Sequence, residues 1–223
     1  MSAARTMIGT VEAVCVVHDE RPIVGPFGRT SIDKRPVAGE VTVTEFGLRG
    51  DKVSNTRDHG GLAKAVYAYS AAEAERWEKE LGRHLSPGWF GENLRIRGIA
   101  VSDAVIGERW VFSSGLVLEV TLPRVPCIVF GRWAGESKWV RRFAEQGDIG
   151  AYLRVVVPAA IQAGDSVEVL DPPDHQVTIR DFFGRTASAE NLASLIADPE
   201  IVPEVLAEAT KRLKQSRRKP ALS

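Results

Sequence analysis

The sequence predicts a mostly-β barrel with flanking helices, followed by a small C-terminal helical extension. Seven or eight short strand signals, separated by Gly- and Pro-containing turns, fill residues 9–170. Two helical periodicities interrupt them, too few for a parallel sheet in which each strand is followed by a helix. After Asp171-Pro172-Pro173-Asp174 the pattern turns helical to the end. The expected division is therefore a barrel over 1–171 and an extension over 172–223.

Gly9 to Val17 is nearly continuous in apolar, β-branched character and reads as a buried strand. Cys15 lies inside it as a small core residue. Arg21 to Gly28 is a Pro/Gly loop, and Ser31-Ile32-Asp33-Lys34-Arg35-Pro36-Val37 continues as a loop. Its Lys34-Arg35 pair is either solvated or the anion-binding lip of a pocket. Glu40 to Phe46 alternates as a strand, Gly47 to Asp51 turns, and Lys64 to Tyr69 is a short strand. Between them His59 precedes Gly60 and Gly61, where backbone can approach a ligand closely.

Ser70 to Leu81 is a helix. Ser70 and Glu73 form a capping box, Ala74, Trp77 and Leu81 share one face, and Gly82 stops it. Gly107 to Phe112 and Leu116 to Leu122 form a hairpin about Ser113-Ser114-Gly115. Trp133 to Gly147 holds a second amphipathic helix, and Gly150 to Val157 and Ser166 to Leu170 are strands. Beyond the boundary come helical segments near Ile179 to Phe183, Ser188 to Ala197 and Pro203 to Leu213. Together they are too small to fold alone and are expected to pack on the barrel. Lys211 to Lys219 reads as a solvated, fraying basic end.

Composition narrows the function. Lys+Arg and Asp+Glu are both 29 in 223 residues, so bulk attraction to nucleic acid or membrane is not expected. No apolar run of about 18 residues is present, and Met1 to Thr10 lacks the apolar core of a secretory leader. A cytoplasmic protein is expected. Cys15 and Cys127 are too few for a disulfide framework or an iron–sulfur cluster. No glycine-rich dinucleotide or P-loop motif is present, nor a zinc-binding histidine pattern.

The chemistry concentrates at Pro123-Arg124-Val125-Pro126-Cys127. Two prolines stiffen the segment, and in a polyproline-like run of about three residues per turn Arg124 and Cys127 face the same way. A thiol beside a fixed cation favours thiolate, the nucleophile and the ligand form of cysteine. Two uses stay open. Cys127 could be a nucleophile with His59 as its base. It could instead ligate a metal in an anionic cofactor that brings its other ligands, with Lys34, Arg35, Lys64 and Arg124 holding the charge.

The chain resembles the MOSC family, domains similar to the C-terminal part of molybdenum cofactor sulfurases. The resemblance rests on Ile32 to Val37, Gly47 to Asp51, His59-Gly60-Gly61 with Lys64 to Val66, Gly91-Glu92-Asn93-Leu94, Ile106-Gly107-Glu108, Pro123 to Cys127 and Gly164-Asp165. The tail resembles the three-helix extension of one bacterial branch. The resemblance implies a β-barrel and a molybdenum–pyranopterin cofactor with Cys127 as ligand to molybdenum. It also implies two-electron reduction of N-hydroxylated small molecules, such as hydroxylamines and N-hydroxylated base analogues. Cys127 and His59 would be catalytic, and Lys34, Arg35, His59, Lys64, Asn93 and Arg124 would contact the cofactor or substrate. With no flavin or nicotinamide motif in the chain, electrons would come from a separate reductase. The aminotransferase-like domain of whole sulfurases is missing, so complete sulfurase activity is not expected. A non-redox carrier of cofactor or sulfur on Cys127 is the alternative. A plain anion-binding module with Cys127 as a core residue is a third. Oligomeric state is not readable.

Overall fold

A computed structural model of the protein describes residues 7–23, 28–54, 60–170 and 172–218. In chain order the first strands are β1 (Met7–Pro22), β2 (Arg29–Pro36), β3 (Val41–Thr44), β4 (Gly47–Leu48), β5 (Val66–Ser70) and β6 (Leu94–Arg97). They are followed by β7 (Arg109–Phe112), β8 (Val117–Pro123), β9 (Ala151–Val157), β10 (Ala160–Ile161) and β11 (Ser166–Val169).

β1 is long enough to serve three neighbours in turn. Met7 to Thr10 pair with β11, Thr10 to Val14 with β6, and Cys15 to Pro22 with β2, all antiparallel. Through β1 the order β11-β7-β8-β9-β5-β6 closes into a ring of seven strands, which leaves no open edge within it. β2 is the eighth strand, carried beyond the ring on the second half of β1. β3, β4 and β10 form a small separate sheet. β5 and β6 are parallel, and the crossover between them contains α1 (Ala71–Leu81).

Two helices follow the β7–β8 hairpin: α2 (Ile128–Ala134) and α3 (Trp139–Gln146). They lay Phe130, Trp139 and Phe143 against Trp77 and Phe90, an aromatic cluster with ring centroids 4.6 to 6.3 Å apart. Truncating one such buried ring costs about 3–5 kcal/mol. The last helices are α4 (Ile179–Gly184), α5 (Ala189–Ala197) and α6 (Pro203–Arg218). Backbone bonds tie the start of this tail to the barrel, Ile106 N–H to Val177 O at 3.0 Å and Ile179 N–H to Ala104 O at 2.8 Å. Phe182, Leu195 and Val205 then join the same core cluster as Val14, Leu94 and Leu118. The tail packs on the barrel, as its small apolar face requires.

Several local expectations are corrected. Residues 29–36 are strand rather than loop, because their backbone pairs with β1 despite the charged pair and Pro36. The helix expected within Trp133 to Gly147 is present as α3 and stops at Gly147, but a further short helix, α2, precedes it and ends where Gly135 adopts a left-handed conformation. Ser70 makes no side-chain cap; Glu73 is instead drawn to the N–H (3.0 Å) and hydroxyl (2.9 Å) of Ser102. The basic end is helical to Arg218, and Arg212 is folded in against Phe182 rather than frayed.

Candidate functional site

β8 ends at Pro123, still in register with Ala151 of β9, and the next residues leave the sheet. Cys127 is then the N-cap of α2, with φ −125 and ψ 170. The stiff run carries Arg124 and Cys127 onto the wall of one cavity of about 930 Å³. That volume lies within the range of small-molecule and cofactor sites. Cys127 is half-buried there, beside exposed Val125 and Ile128. At the N-terminal end of α2, on the same cavity wall as the Arg124 guanidinium, a negative charge at its sulfur is electrostatically supported.

Arg124 is 5% exposed. Its guanidinium lies over the Phe130 ring at 4.3 Å and near Tyr67 at 5.7 Å. It donates to the Tyr152 phenol, while its Nη1 has no partner among the described residues. Burial pushes the Tyr152 phenol up to about 12 against the opposing pull of Arg124, so this phenol keeps its proton.

Lys34 and Arg35 part company because adjacent residues of a strand face opposite ways. Lys34 lines the cavity, and its Nζ lies 2.5 Å from Asp51 Oδ2 in a pair buried on both sides. Arg35 points out, is half exposed and pairs with Asp33. Gly88 supports this course of β2. It has φ +91, and a Cβ there would lie 2.2 Å from Lys34 O.

Asp51 accepts from Val17 N–H (2.9 Å), Lys34 Nζ and Asn93 Nδ2 (2.8 Å). Asn93 in turn accepts from Tyr67 N–H and donates to Cys15 O. It borders the cavity with its amide committed to holding β1, β5 and Asp51 together. Lys64 also lines the cavity, on the turn after Gly61; Thr121 fixes that turn to β8 by donating to Ala63 O at 2.6 Å. His59 lies outside the described residues. Cys127, Arg124, Lys34, Lys64 and Asn93 therefore meet at one cavity and Arg35 does not.

Sequence reasoning missed Asp51, Tyr67 and Tyr152. It also missed the contribution of the tail, whose Phe182, Glu204, Glu208 and Arg212 form one wall. The spacing of the last three, four residues apart, marks a single helix face. What that face meets depends on long-range packing.

The other cysteine has no such setting. Cys15 is fully buried, and desolvation, with a smaller contribution from Glu92, pushes its thiol far up. Among the described residues, no group of three or more His, Cys, Asp or Glu gathers to hold a bare ion. A metal at Cys127 would thus bring most of its ligands with it. A soft sulfur, a buried guanidinium nitrogen without a partner, and further cations from Lys34, Lys64 and Arg132 suit an anionic metal cofactor. The donor set fits a molybdenum–pyranopterin.

A family model described as the MOSC domain matches residues 55–168, just over half of the chain. The protein YflK of Bacillus subtilis is 28% identical over 193 residues, 86% of each chain. Protein YiiM of Escherichia coli is 29% identical over 150 residues, 65% of this chain and 66% of that one. A protein named reductase from Gibberella moniliformis is 26% identical over 147 residues, 65% of this chain but only 26% of its own length. Among solved structures, YiiM from Geobacillus stearothermophilus superposes with a TM-score of 0.73 at 22% identity, covering 92% of this chain and 99% of that one. YiiM from Escherichia coli gives 0.69 at 19% identity, covering 95% and 96%. These structures share the fold.

Proposed function

The chain belongs to the MOSC domain family, and from that premise we propose that it is a molybdenum-cofactor-dependent oxidoreductase reducing N-hydroxylated compounds. The observation that carries the reading is the shared cavity of Cys127 and Arg124, with a buried guanidinium nitrogen awaiting an acceptor. When bound, the cofactor supplies the two-electron redox chemistry, with Cys127 as its protein ligand. Arg124 and Lys64 would hold its negative charge, with Lys34 contributing from its buried pair with Asp51, and His59 keeps the contact role given by the resemblance. The balance is R–NHOH + 2 e⁻ + 2 H⁺ → R–NH₂ + H₂O, with electrons from a separate reductase.

The residues contribute positioning and proton control. Arg124 would anchor the anionic cofactor on the cationic side of the cavity, and the Tyr152 phenol holds its proton at neutral pH as a hydrogen-bond donor. The name of the Gibberella relative supports a reductive activity. Among the described residues no helix is long and apolar enough to cross a membrane.

The test measures molybdenum and pterin in purified wild type beside Cys127→Ser, then turnover of a hydroxylamine with a reduced artificial donor. Expected are bound cofactor and turnover in wild type, with both lost in the variant. A fully loaded wild type with no N-reductive turnover under any donor would overturn the reading.

A further inference from the structure

Tyr152 stands opposite Tyr67 in the pairing of β9 with β5, and their ring centroids are 5.4 Å apart. On its other side it pairs with Leu122 of β8, just before the Pro-Arg-Val-Pro-Cys run begins. All three line the cavity, because directly opposed residues of neighbouring strands share a face. The two phenols are used differently. Tyr67 donates its proton to Ile149 O at 2.8 Å. Tyr152 takes a hydrogen bond from Arg124 at its oxygen and lies within reach of the charge on Cys127. A phenol oxygen can accept from a guanidinium and still donate its own proton.

On the reductase reading above, we infer that Tyr152 is the proton donor to the departing oxygen of the substrate. The reaction takes two electrons from the separate reductase and two protons. As the N–O bond breaks, its electron pair leaves on oxygen, which takes the Tyr152 proton and departs as water. The two added electrons go to nitrogen, which takes the second proton from solvent. The phenolate left behind is held by the Arg124 guanidinium and regains its proton from solvent. Acid and leaving group are well matched. Desolvation raises the phenol to about 12, with Cys127 adding to the rise and Arg124 opposing it. Departing hydroxide is the base of water, whose pKa is about 15.7. Transfer therefore runs downhill, while the phenol stays fully protonated at neutral pH. Other cavity groups serve less well. Lys34 is tied to Asp51 in a buried pair, and Glu208 is kept ionised by Arg212.

The test replaces Tyr152 by Phe and, separately, by difluorotyrosine, a ring of similar shape whose phenol ionises more readily. Tyr152→Phe keeps the ring against Tyr67, and the second variant keeps the hydroxyl as well. Enzyme reduced beforehand by an artificial donor is mixed with phenylhydroxylamine, and single turnovers are followed from neutral to alkaline pH. Molybdenum and pterin are measured on each protein and rates taken per bound molybdenum, so cofactor loss does not enter them. Expected in Tyr152→Phe is a rate lower by about a hundredfold or more, with the half-saturating substrate concentration unchanged. Difluorotyrosine should restore the rate at neutral pH and lose it at lower pH than wild type does, a limb that a packing role would not move. Equal rates in Tyr152→Phe and wild type, or a wild-type pH profile with difluorotyrosine, would overturn the inference and leave the reductase reading standing. A loaded wild type that turns over no hydroxylamine removes both.

Discussion

Arg124 carries its guanidinium 4.3 Å above the Phe130 ring and leaves Nη1 buried with no partner among the described residues. The ring fixes the plane of the fork, so the free nitrogen has a set direction. A buried donor left unmade costs about 1–3 kcal/mol, which an anionic ligand would recover. Lysine keeps the charge but lacks the planar fork and the stacking. Arg124→Lys should therefore fold normally and lose cofactor affinity by about tenfold or more. Molybdenum and pterin per chain, beside a thermal melt, check this. Wild-type content in the variant would remove Arg124 as an anchor.

The Lys34–Asp51 pair makes a different demand, because both partners are buried. Asp51→Asn leaves the Lys34 charge without its counterion and disturbs the bonds from Val17 and Asn93. Breaking a buried pair from one side costs about 3–5 kcal/mol. Urea unfolding should show that loss for Asp51→Asn and a smaller one for the double variant with Lys34→Met. Equal losses would mean the pair does not couple.

How far the sequence reveals this protein depends on the range of each interaction. The β7–β8 hairpin is legible because Ser113-Ser114-Gly115 is a local turn signal, and α1 because its apolar period ends at Gly82. Closure of the ring is not legible, since Met7 pairs with Val169 across almost the whole barrel sequence. Lys34 and Arg35 look alike in sequence, and only the strand pairing of 29–36 sends one inward and the other out. Glu73 carried a correct-looking capping signal that a distant partner, Ser102, overrides. Glu204 could be placed on a helix face with Glu208 and Arg212, but not against the cavity. The Pro-Arg-Val-Pro-Cys run was readable because proline stiffness is local, and it does bring Arg124 and Cys127 to one cavity.

The two thiols should differ sharply in reactivity. Cys127 is half-buried on an open cavity, whereas Cys15 is fully buried and its thiol is pushed far up by desolvation. In cofactor-free protein, iodoacetamide should label Cys127 within minutes and leave Cys15 untouched until urea unfolds the chain. Peptide mass mapping reads both. Bound cofactor should protect Cys127 as well, so labelling of Cys127 that ignores cofactor content would argue against its role as ligand.

Glu73 should make stability depend on pH. It is 1% exposed, and desolvation raises its carboxyl to about 7 despite its bonds to Ser102. The nearby carboxylate of Asp148 adds to the rise, while Arg180, with Nη2 3.9 Å from Glu73, opposes it. Between about pH 4.5 and 7 the folded state then holds a proton that the unfolded chain has released. Stability from this group is complete below about pH 4.5 and falls as pH rises toward 7, by at most about 3 kcal/mol. Above 7 the loss is constant. Glu73→Gln removes the titrating group while keeping a similar shape, so the difference between wild type and variant isolates Glu73 from Glu108, whose carboxyl burial also raises. Urea midpoints from pH 5 to 8 should fall more steeply in wild type than in Glu73→Gln. Because Arg180 bridges Asp103 and Asp148 from α4, the tail should be the part that loosens first. Hydrogen exchange in residues 179–218 should therefore quicken over the same range, and parallel midpoint curves in the two proteins would show that Glu73 does not titrate there.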